Sequence, residues 1–388
     1  MTKPTIVPHR KLHLCLVSNT AWAIYTFRLG LLRSLLESGV RVTVIAPYDD
    51  TVAAMEGLGA THVDVPLASK SVNPLDDLHT FYALWRAYRK LKPDLIFHYT
   101  IKPNIYGSLA AMLARVKSIA VTTGLGYVFL QQSRTAKVAK LLYRLAFRFP
   151  REVWFLNSDD RATFIDQGLL AHPERAVLLQ GEGIDLTQFQ FTPLETNKEH
   201  FDFLLIGRLL WDKGVGEYVE AARRLKAQYP HARFRVLGPV GTANPSAIPR
   251  SALDNWIKEG TIEWLGETSD VRPYIAQADC VVLPSYREGM PRTLLEASAM
   301  GRPIVASRVP GCQDVVEDGV TGLLCTARSA DQLAIAMARM LEMTVEQRSL
   351  MGSAGCERMQ GKFDERAIVA LYFATVKTQT GVPLPARA

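Results

Sequence analysis

The chain has 388 residues, of which 48% are hydrophobic and 21% are charged, and this composition is typical of a soluble globular protein. The length exceeds what one ordinary core accommodates, so two domains are expected. No window approaches the roughly 18 uninterrupted apolar residues of a transmembrane helix, so no transmembrane helix is expected.

The N-terminal residues 1–18 are basic, but their apolar run is short and lacks a clear small-residue cleavage site. We therefore expect a tail that leads into the first strand, and not a signal peptide. The five cysteines are scattered and form no Cys-x-x-Cys pair. They are expected to be buried free thiols in a reducing cytoplasm.

Positive charge is concentrated in the first half of the chain. Residues 1–190 contain 22 Lys and Arg against 15 Asp and Glu, a balance of +7, whereas residues 191–388 contain 23 of each. Such an excess favours an anionic partner for the first half: a membrane surface, a phosphate-bearing substrate or nucleic acid. No base-stacking module is visible, so nucleic acid is not expected.

Short apolar runs alternate with longer amphipathic runs along the first half. Predicted strands lie at 12–17, 40–47, 94–100 and 118–124, and predicted helices at 27–39, 74–93 and 104–116. Repeated strand–helix alternation indicates right-handed crossovers and a parallel sheet.

The alternation restarts after a segment rich in Gly, Thr, Pro and charge. Strands are predicted at 201–207, 232–238, 262–266 and 279–285, with helices at 214–230 and 270–278. The predicted organisation is a first Rossmann-like domain over 1–185, a linker over 186–200, a second over 201–360, and a C-terminal helix over 361–388 that packs back toward the first domain. Two doubly wound α/β domains would face a central cleft at the carboxyl ends of their strands.

Two carboxylates with seven residues between them lie in "YREGMPRTLLEA", residues 286–297. A helix is predicted to begin near Pro291, which places Glu288 in the preceding loop and Glu296 two turns inside the helix. Unpaired N–H groups around residues 290–293 would form a seat for a phosphate group. The two glutamates could then bind hydroxyls on either side of it, although two solvated surface glutamates would give the same pattern.

Two cations follow the predicted strand that ends at Gly207, in "IGRLLWDKGV". Arg208 offers a planar fork of donors and Lys213 offers a mobile point charge, so together they could hold a diphosphate and offset the charge of a leaving group. Taken alone, the pattern is also that of two solvated surface cations.

The segments "GRLLWDKGV" and "YREGMPRTLLEA" together resemble the donor domain of retaining glycosyltransferases of family 4, which have the GT-B fold of two Rossmann-like domains. The resemblance covers residues from about 180 to 335 and continues more weakly through the first half. There, "HYTIKPNIYGSLAA" and "TTGLGYVF" look like the subgroup that assembles surface polysaccharides and glycans on polyprenyl diphosphate carriers.

The resemblance implies that Arg208 and Lys213 clamp the donor diphosphate, that Glu288 faces the transferred sugar and that Glu296 hydrogen-bonds the ribose. In this interpretation Glu288, Arg208 and Lys213 are catalytic. The implied donor-binding residues are Gly207, Arg208, Lys213, Gly238, Pro284, Glu288, Gly289, Met290, Pro291, Thr293 and Glu296.

The acceptor side departs from the family pattern. Where many members have a Gly-Gly pair after the first strand, this chain has "SNTAW", which begins at Ser18. Where many have a histidine, alignment places Tyr99, and the neighbouring His98 would point to the opposite face of the strand. His98 is therefore open to a substrate contact or a packing role. The other acceptor-side candidates are Asn19, Lys102, expected to meet the acceptor's diphosphate, and Asn104.

No Asp-x-Asp triplet occurs in the chain, and a metal that bridges a diphosphate usually needs such carboxylates. We expect no cofactor or metal, with Arg208, Lys213 and helix N-termini replacing the cation. The expected mechanism retains configuration: the donor sugar leaves through an oxocarbenium-like state and the leaving phosphate takes the acceptor's proton. The other route is covalent, through Glu288.

A basic amphipathic segment spans residues 131–154. At about 100° per residue, six cations share about 120° of arc and two aromatic residues flank them. This pattern suits a helix lying on anionic headgroups, although an ordinary helix with its apolar side in the core would look similar. The predicted membrane contacts are Arg134, Lys137, Lys140, Tyr143, Arg144, Phe147, Arg148 and Arg151.

The sequence thus predicts a retaining glycosyltransferase, peripheral on the cytoplasmic face of the inner membrane. It would move an N-acetylhexosamine or hexose from a UDP-sugar to a lipid-linked saccharide. One alternative is a GT-B UDP-sugar 2-epimerase, which lacks the paired signature around Arg208 and Glu288. The other is a non-catalytic membrane-associated partner subunit, against which the intact set of charged residues argues.

Overall fold

The computed structural model describes residues 11–67, 73–125, 134–241 and 244–385. The chain divides into two compact units, one formed by residues 1–182 with 367–388 and the other by residues 183–366. The segment predicted as a linker, 186–200, groups with the second unit.

The first unit contains a seven-stranded sheet in the order β3-β2-β1-β4-β5-β6-β7. Every neighbouring pair is parallel, as the strand–helix alternation predicts. The strands are β1 (His13–Val17), β2 (Arg41–Ala46), β3 (Thr61–Asp64), β4 (Leu95–Tyr99), β5 (Ser118–Thr122), β6 (Glu152–Phe155) and β7 (Ala176–Leu178).

Helices connect these strands, and a π-helical turn, Pro103–Gly107, leads directly into α4. The helices are α1 (Ala21–Glu37), α2 (Val52–Gly57), α3 (Pro74–Leu91), α4 (Ser108–Ala114), α5 (Arg134–Ala146) and α6 (Ser158–Asp166). The last helix of the chain, α14 (Glu365–Thr380), also packs here, because Tyr372 contacts Phe97 and Trp154 with ring centroids 4.9 and 4.8 Å apart.

The start of α1 corrects the sequence prediction, which placed it at Phe27. A helical segment begins six residues earlier, at Ala21, because the Thr20 side chain accepts a hydrogen bond from the Ala23 N–H and caps it, and α1 is kinked at Arg28, where φ is −138° and ψ is 21°. The start of α3 follows the sequence signals, with Asn73 as the N-cap and Pro74 in the first turn.

The second unit contains a six-stranded parallel sheet in the order β10-β9-β8-β11-β12-β13. Its strands are β8 (Phe201–Ile206), β9 (Ala232–Leu237), β10 (Glu263–Trp264), β11 (Cys280–Leu283), β12 (Ile304–Ser307) and β13 (Gly322–Cys325). Its helices are α7 (Val215–Gln228), α8 (Arg250–Lys258), α9 (Arg272–Gln277), α10 (Arg292–Ala299), α11 (Cys312–Val315), α12 (Ala330–Glu342) and α13 (Val345–Lys362).

Both faces of the second sheet are buried. Alternate residues of β8 belong to two separate apolar clusters, with Phe203 in one and Leu204 in the other. Burial on both sides explains why these strands have continuous apolar runs and no polar alternation. Ligand contacts with this sheet are therefore expected at the strand ends and in the loops.

All five cysteines are buried and free, which confirms the prediction for the thiols themselves. Across the described residues, no helix combines the length and apolar character needed to cross a membrane.

Candidate functional site

The carboxyl ends of the parallel strands in the second unit lie at one edge of the sheet, and the predicted donor residues lie in the loops that follow them. β8 and β11 are neighbours in this sheet. The loop after β8 contains Arg208 and Lys213, and the loop after β11 contains Glu288. Adjacent parallel strands thus bring together residues that are 75 or more positions apart in sequence.

Gly238 allows two of these loops to approach closely. Its φ of +147° is one that side-chain-bearing residues rarely adopt, and a Cβ there would lie 1.9 Å from the carbonyl oxygen of Gly207. Only glycine fits such a contact. Gly207 and Gly238, both predicted as site residues, therefore let the backbone after β8 lie directly against the backbone after β9.

Gly214 joins the β8 loop to the β11 loop. Its φ is +73°, and a Cβ would lie 2.1 Å from the carbonyl oxygen of Pro284. This packing places the preceding residue, Lys213, against Glu288: the Lys213 Nζ donates a hydrogen bond to the Glu288 Oε1 at 2.5 Å. The lysine and glutamate singled out from sequence thus form an ion pair.

The pair is largely shielded from water, with side-chain exposures of 22% for Lys213 and 10% for Glu288. On the far side, Gly311 packs against the backbone carbonyls of Glu288 and Gly289, where its Cβ would come within 3.0 and 2.7 Å. The loop containing Glu288 is therefore held from two sides, which fixes the position of its carboxylate.

Arg208 differs from Lys213 because its side chain is exposed. Among the residues that the structure describes, no carboxylate forms an ion pair with it. The site therefore offers one cation already neutralised by a carboxylate and one available for an anionic ligand.

Glu296 lies on α10, which begins at Arg292 directly after Pro291, as predicted. The predicted depth of two turns is wrong, because Glu296 is the fifth residue of the helix and lies about one turn inside. Its carboxylate is buried and accepts a hydrogen bond from the Arg292 Nε at 2.7 Å. Burial raises the pKa of Glu296, and Arg292 opposes that shift.

The N-terminus of α10 is fixed against β8. The Thr293 hydroxyl donates to the carbonyl oxygen of Ile206 at 3.4 Å, and Met290 packs against the apolar cluster beneath the loop. Residues 289–293 therefore lie beside the end of β8, where the sequence places the phosphate seat.

Sequence reasoning missed the residues that support the Glu288 loop. The Tyr286 hydroxyl donates to a carboxylate oxygen of Glu217 at 2.6 Å, and the Arg328 guanidinium lies 4.6 Å from the centre of the Tyr286 ring. The backbone N–H of Tyr286 also bonds the carbonyl oxygen of Asp212 at 2.9 Å. A tyrosine two residues before a site glutamate was the available signal, but its partners are distant in sequence.

Two acceptor-side candidates of the first unit, His98 and Asn104, are buried, and their assignment stays a prediction. His98 is fully buried, its Nε2 lies 3.0 Å from the Tyr88 hydroxyl, and burial lowers its pKa to about 3. Asn104 is also buried and donates to the carbonyl oxygen of Val121 at 3.0 Å. Of the two roles left open for His98, packing is the one that its burial supports.

Lys102 and Asn19 remain acceptor-side predictions. The Lys102 Nζ donates to Asp77 at 2.7 Å, so its charge is paired within the protein. Asn19 is half-buried in the segment between β1 and α1.

Two of the predicted membrane contacts are wrong. Tyr143 and Phe147 are each 1% exposed and pack with Phe164 in the core of the first unit. The other predicted membrane contacts with described side chains are half-buried or exposed. They are Lys137, Lys140, Arg144, Arg148 and Arg151. The side chain of Arg134 lies outside the described residues.

Within the described ranges, no three His, Cys, Asp or Glu side chains group in a way that could hold a metal ion. The groups that the site brings together are two cations, two carboxylates and a helix N-terminus. Such a set suits a ligand that combines a diphosphate with sugar hydroxyls.

The two sheets and this edge of the second one define a GT-B protein. A match to the solved structure of HepE from Anabaena in complex with UDP supports the fold: the TM-score is 0.76 at 20% identity, over 95% of this chain and 100% of that one. Residues 13–157 match the model "Glycosyl transferase 4-like", and residues 200–343 match "Glycosyl transferases group 1". Both halves of the chain thus match glycosyltransferase family models, as its motifs predict.

Two curated relatives are similar over most of their length. One is the N,N'-diacetylbacillosaminyl-diphospho-undecaprenol alpha-1,3-N-acetylgalactosaminyltransferase of Campylobacter jejuni, 29% identical over 92% of this chain and 96% of the relative. The other is the UDP-Gal:alpha-D-GlcNAc-diphosphoundecaprenol alpha-1,3-galactosyltransferase of Escherichia coli, 26% identical over 72% and 74%.

Proposed function

We propose that this glycosyltransferase moves a hexose or N-acetylhexosamine from a UDP-sugar to a saccharide carried on polyprenyl diphosphate, with retention of configuration. The observation that carries the proposal is the ion pair between Lys213 and Glu288, 2.5 Å apart, beside the exposed Arg208. The two relatives named above act on diphospho-undecaprenol acceptors, and the HepE structure contains UDP, which supports both substrate classes.

In the free site, Glu288 neutralises Lys213. A nucleoside diphosphate brings more negative charge than one carboxylate, so Lys213 transfers its hydrogen bonds to the phosphates when the donor binds. Glu288 is then released toward the sugar, while Arg208 supplies the second cation. Donor binding thus couples phosphate recognition to the orientation of the sugar-facing carboxylate.

During transfer, the bond between the sugar's anomeric carbon and the β-phosphate oxygen breaks, and a bond to the acceptor oxygen forms on the same face. The proton of the acceptor hydroxyl passes to the departing phosphate. Arg208 and Lys213 stabilise the charge that develops on UDP, which replaces the role of a divalent cation. Activity that survives a chelator would support this step, and restoration of lost activity by Mg²⁺ or Mn²⁺ would contradict it.

Access to a lipid-linked acceptor requires the enzyme to work at a membrane surface. The exposed cations of the α5 segment, Arg144, Arg148 and Arg151, suit anionic headgroups. Anionic lipid is expected on the cytoplasmic leaflet, which is also where a UDP-sugar is available to the donor site.

The test is transfer of radiolabelled sugar, from a panel of UDP-sugars, into lipid extracted from bacterial membranes. Glu288→Ala and Arg208→Ala should each abolish transfer. Glu195→Ala and Arg233→Ala, which remove exposed charges elsewhere in the second unit, are the matched controls and should transfer normally. Retention is checked from the anomeric proton coupling of the product, and an inverted linkage would overturn that part of the proposal.

Label released as free sugar or as an epimerised nucleotide sugar, with none in lipid, would favour the epimerase alternative. Activity unchanged in both site variants would remove the assigned donor site.

A further inference from the structure

The outer face of α3 carries an apolar stripe that the sequence analysis did not single out. Leu75, Leu78 and Tyr82 are 73%, 62% and 53% exposed and follow one another at helical spacing. The opposite face packs Leu84 and Tyr88 into the core. Single exposed apolar residues are ordinary, but a stripe along one helix marks a contact surface.

A second stripe lies on α5. Val138, Leu141 and Leu145 are 56%, 64% and 44% exposed, whereas Tyr143 and Ala146 face the core. The π-helical turn packs against both α3 and α5, so the two helices lie on the same side of the first sheet. The six exposed residues of α3 and α5 are here called the α3–α5 face: Leu75, Leu78, Tyr82, Val138, Leu141 and Leu145.

The part of the chain that contains α5 is strongly positive. From Leu95 to Arg151 the chain contains nine Lys and Arg and no Asp or Glu. The last turns of α3 add Arg86, Arg89 and Lys90, all exposed. Two half-buried carboxylates, Asp76 and Asp77, lie near the start of α3, and Asp77 accepts hydrogen bonds from the Lys102 Nζ and the Tyr106 hydroxyl, each at 2.7 Å.

Aromatic side chains lie where the apolar stripe of α3 meets its cations. The Tyr82 and Trp85 rings are 5.7 Å apart, and the Arg89 guanidinium lies 5.7 Å from the centre of the Trp85 ring. Tyr and Trp favour the boundary between hydrocarbon and water because one end of each ring is apolar and the other polar.

We propose that the α3–α5 face inserts shallowly into a bilayer of anionic phospholipid, with the flanking cations on the headgroups. The proposal rests on the proposed function, since a lipid-linked acceptor is reached at a membrane, and it goes further because apolar insertion, not charge alone, holds the enzyme there. A second copy of the chain is the less favourable occupant, since a two-fold contact would oppose two positive surfaces.

The experiment measures co-sedimentation of the full chain with vesicles of phosphatidylcholine alone or mixed with phosphatidylglycerol, at about 0.1 M and about 1 M NaCl. The wild type should bind the anionic vesicles at both salt concentrations. Leu75→Glu/Leu78→Glu and Val138→Glu/Leu141→Glu should each lower the partition coefficient at least about tenfold. Ile335→Glu/Leu350→Glu, at equally exposed apolar positions of the second unit, is the control and should bind within about twofold of wild type.

All the substituted side chains are exposed, so the melting temperature and its increase with UDP should stay at wild-type values and confirm folding. Vesicle binding that is unchanged in both double variants, or that disappears entirely at high salt, overturns the proposal. A dimer in solution that both double variants abolish, without vesicle binding, also overturns it and assigns the face to a second copy. Failure of the proposed function is separate, because it would show as no transfer to acceptor dispersed in detergent, where membrane binding is not needed.

Discussion

At the residue scale, the donor site places charged groups where burial disfavours them. Glu296 is buried, and this burial raises its pKa despite the hydrogen bond from Arg292. Native protein therefore binds a proton at Glu296 at a pH where unfolded protein has released it, so this carboxylate makes unfolding easier as the pH rises through its native pKa. Such a group is retained at a cost to stability, which supports a role in ligand binding.

Glu296→Gln should therefore separate stability from binding. The amide avoids the burial of a charge, so the free energy of unfolding should rise, by about 1 kcal/mol or less at pH 8 and by less at pH 5. Affinity for UDP should fall about tenfold, because an amide oxygen accepts a weaker hydrogen bond than a carboxylate. Denaturant unfolding at both pH values and calorimetric titration with UDP provide the two measurements. Equal affinity in the variant would remove Glu296 from the ribose contact.

Because Lys213 pairs with Glu288, the substitution Glu288→Gln should affect the binding of UDP and of the UDP-sugar differently. In Glu288→Gln, no ion pair has to be broken before Lys213 can bind the phosphates. UDP should therefore bind as well as in the wild type or up to about tenfold more tightly. The UDP-sugar should lose that advantage, and transfer should fall at least about a hundredfold, because the sugar has lost its carboxylate contact. Titration of both ligands against the same variant tests this. Weaker binding of UDP itself would contradict the exchange of partners.

The sequence predicts the position of a residue when that position depends on its neighbours in the chain, and not when it depends on distant segments. The sequence places Glu288 before α10 and Glu296 within it, though not at the right depth, because Pro291 and the following apolar spacing fix the start of the helix locally. The contact of Arg328 with Tyr286 was not predictable, because it depends on loops after different strands meeting at one edge. Tyr143 was misassigned because helical spacing gives an angle around the axis but not which arc faces the core.

At the element scale, glycines determine how closely the loops of the second unit approach. The motif around Lys213 was visible from sequence, but the contact of Gly214 with Pro284 was not, since no local pattern indicates which backbone lies against a loop. Similarly, the part of α1 that precedes its kink at Arg28 is not predicted, because its cap, Thr20, precedes an apolar run that is weakly periodic. The parallel direction of the strands and their alternation with helices, in contrast, follow directly from the apolar pattern.

Gly214→Ala should disturb the site in two ways, through backbone strain and through a steric overlap with a neighbouring loop. Gly260→Ala is the control for the strain, because Gly214 has φ +73° and Gly260 has φ +69°. Only at Gly214 would the new Cβ overlap a backbone atom, 2.1 Å from the Pro284 oxygen. Gly260→Ala should cost about 1 kcal/mol and leave UDP affinity unchanged. Gly214→Ala should cost about 3 kcal/mol and lower UDP affinity at least about tenfold. Chemical denaturation and titration of the two variants side by side measure the difference, and equal losses would show that loop contact does not position Lys213.

At the scale of the whole molecule, the sequence predicts two units of different character, and both its charge and its cysteines are unevenly divided between them. The excess of seven cations falls in residues 1–190, whereas four of the five cysteines fall in residues 183–366. Cys15 alone reports on the first unit. All five thiols are buried, and burial raises the pKa of each of them, so native protein should react slowly with thiol reagents.

This distribution allows the location of the donor site to be tested without a substitution. A ligand that binds only the folded form of one unit stabilises that unit by an amount set by its concentration relative to its dissociation constant, about 2.7 kcal/mol at a hundredfold excess. With UDP present, labelling of Cys280, Cys312, Cys325 and Cys356 should therefore shift to higher urea concentration than without it. Labelling of Cys15 should shift less if the units unfold separately, and equally if they unfold together. Mass spectrometry of labelled peptides distinguishes the five positions, and protection of Cys15 in preference to the other four would place the nucleotide in the first unit and contradict the donor site assigned to Arg208, Lys213 and Glu288.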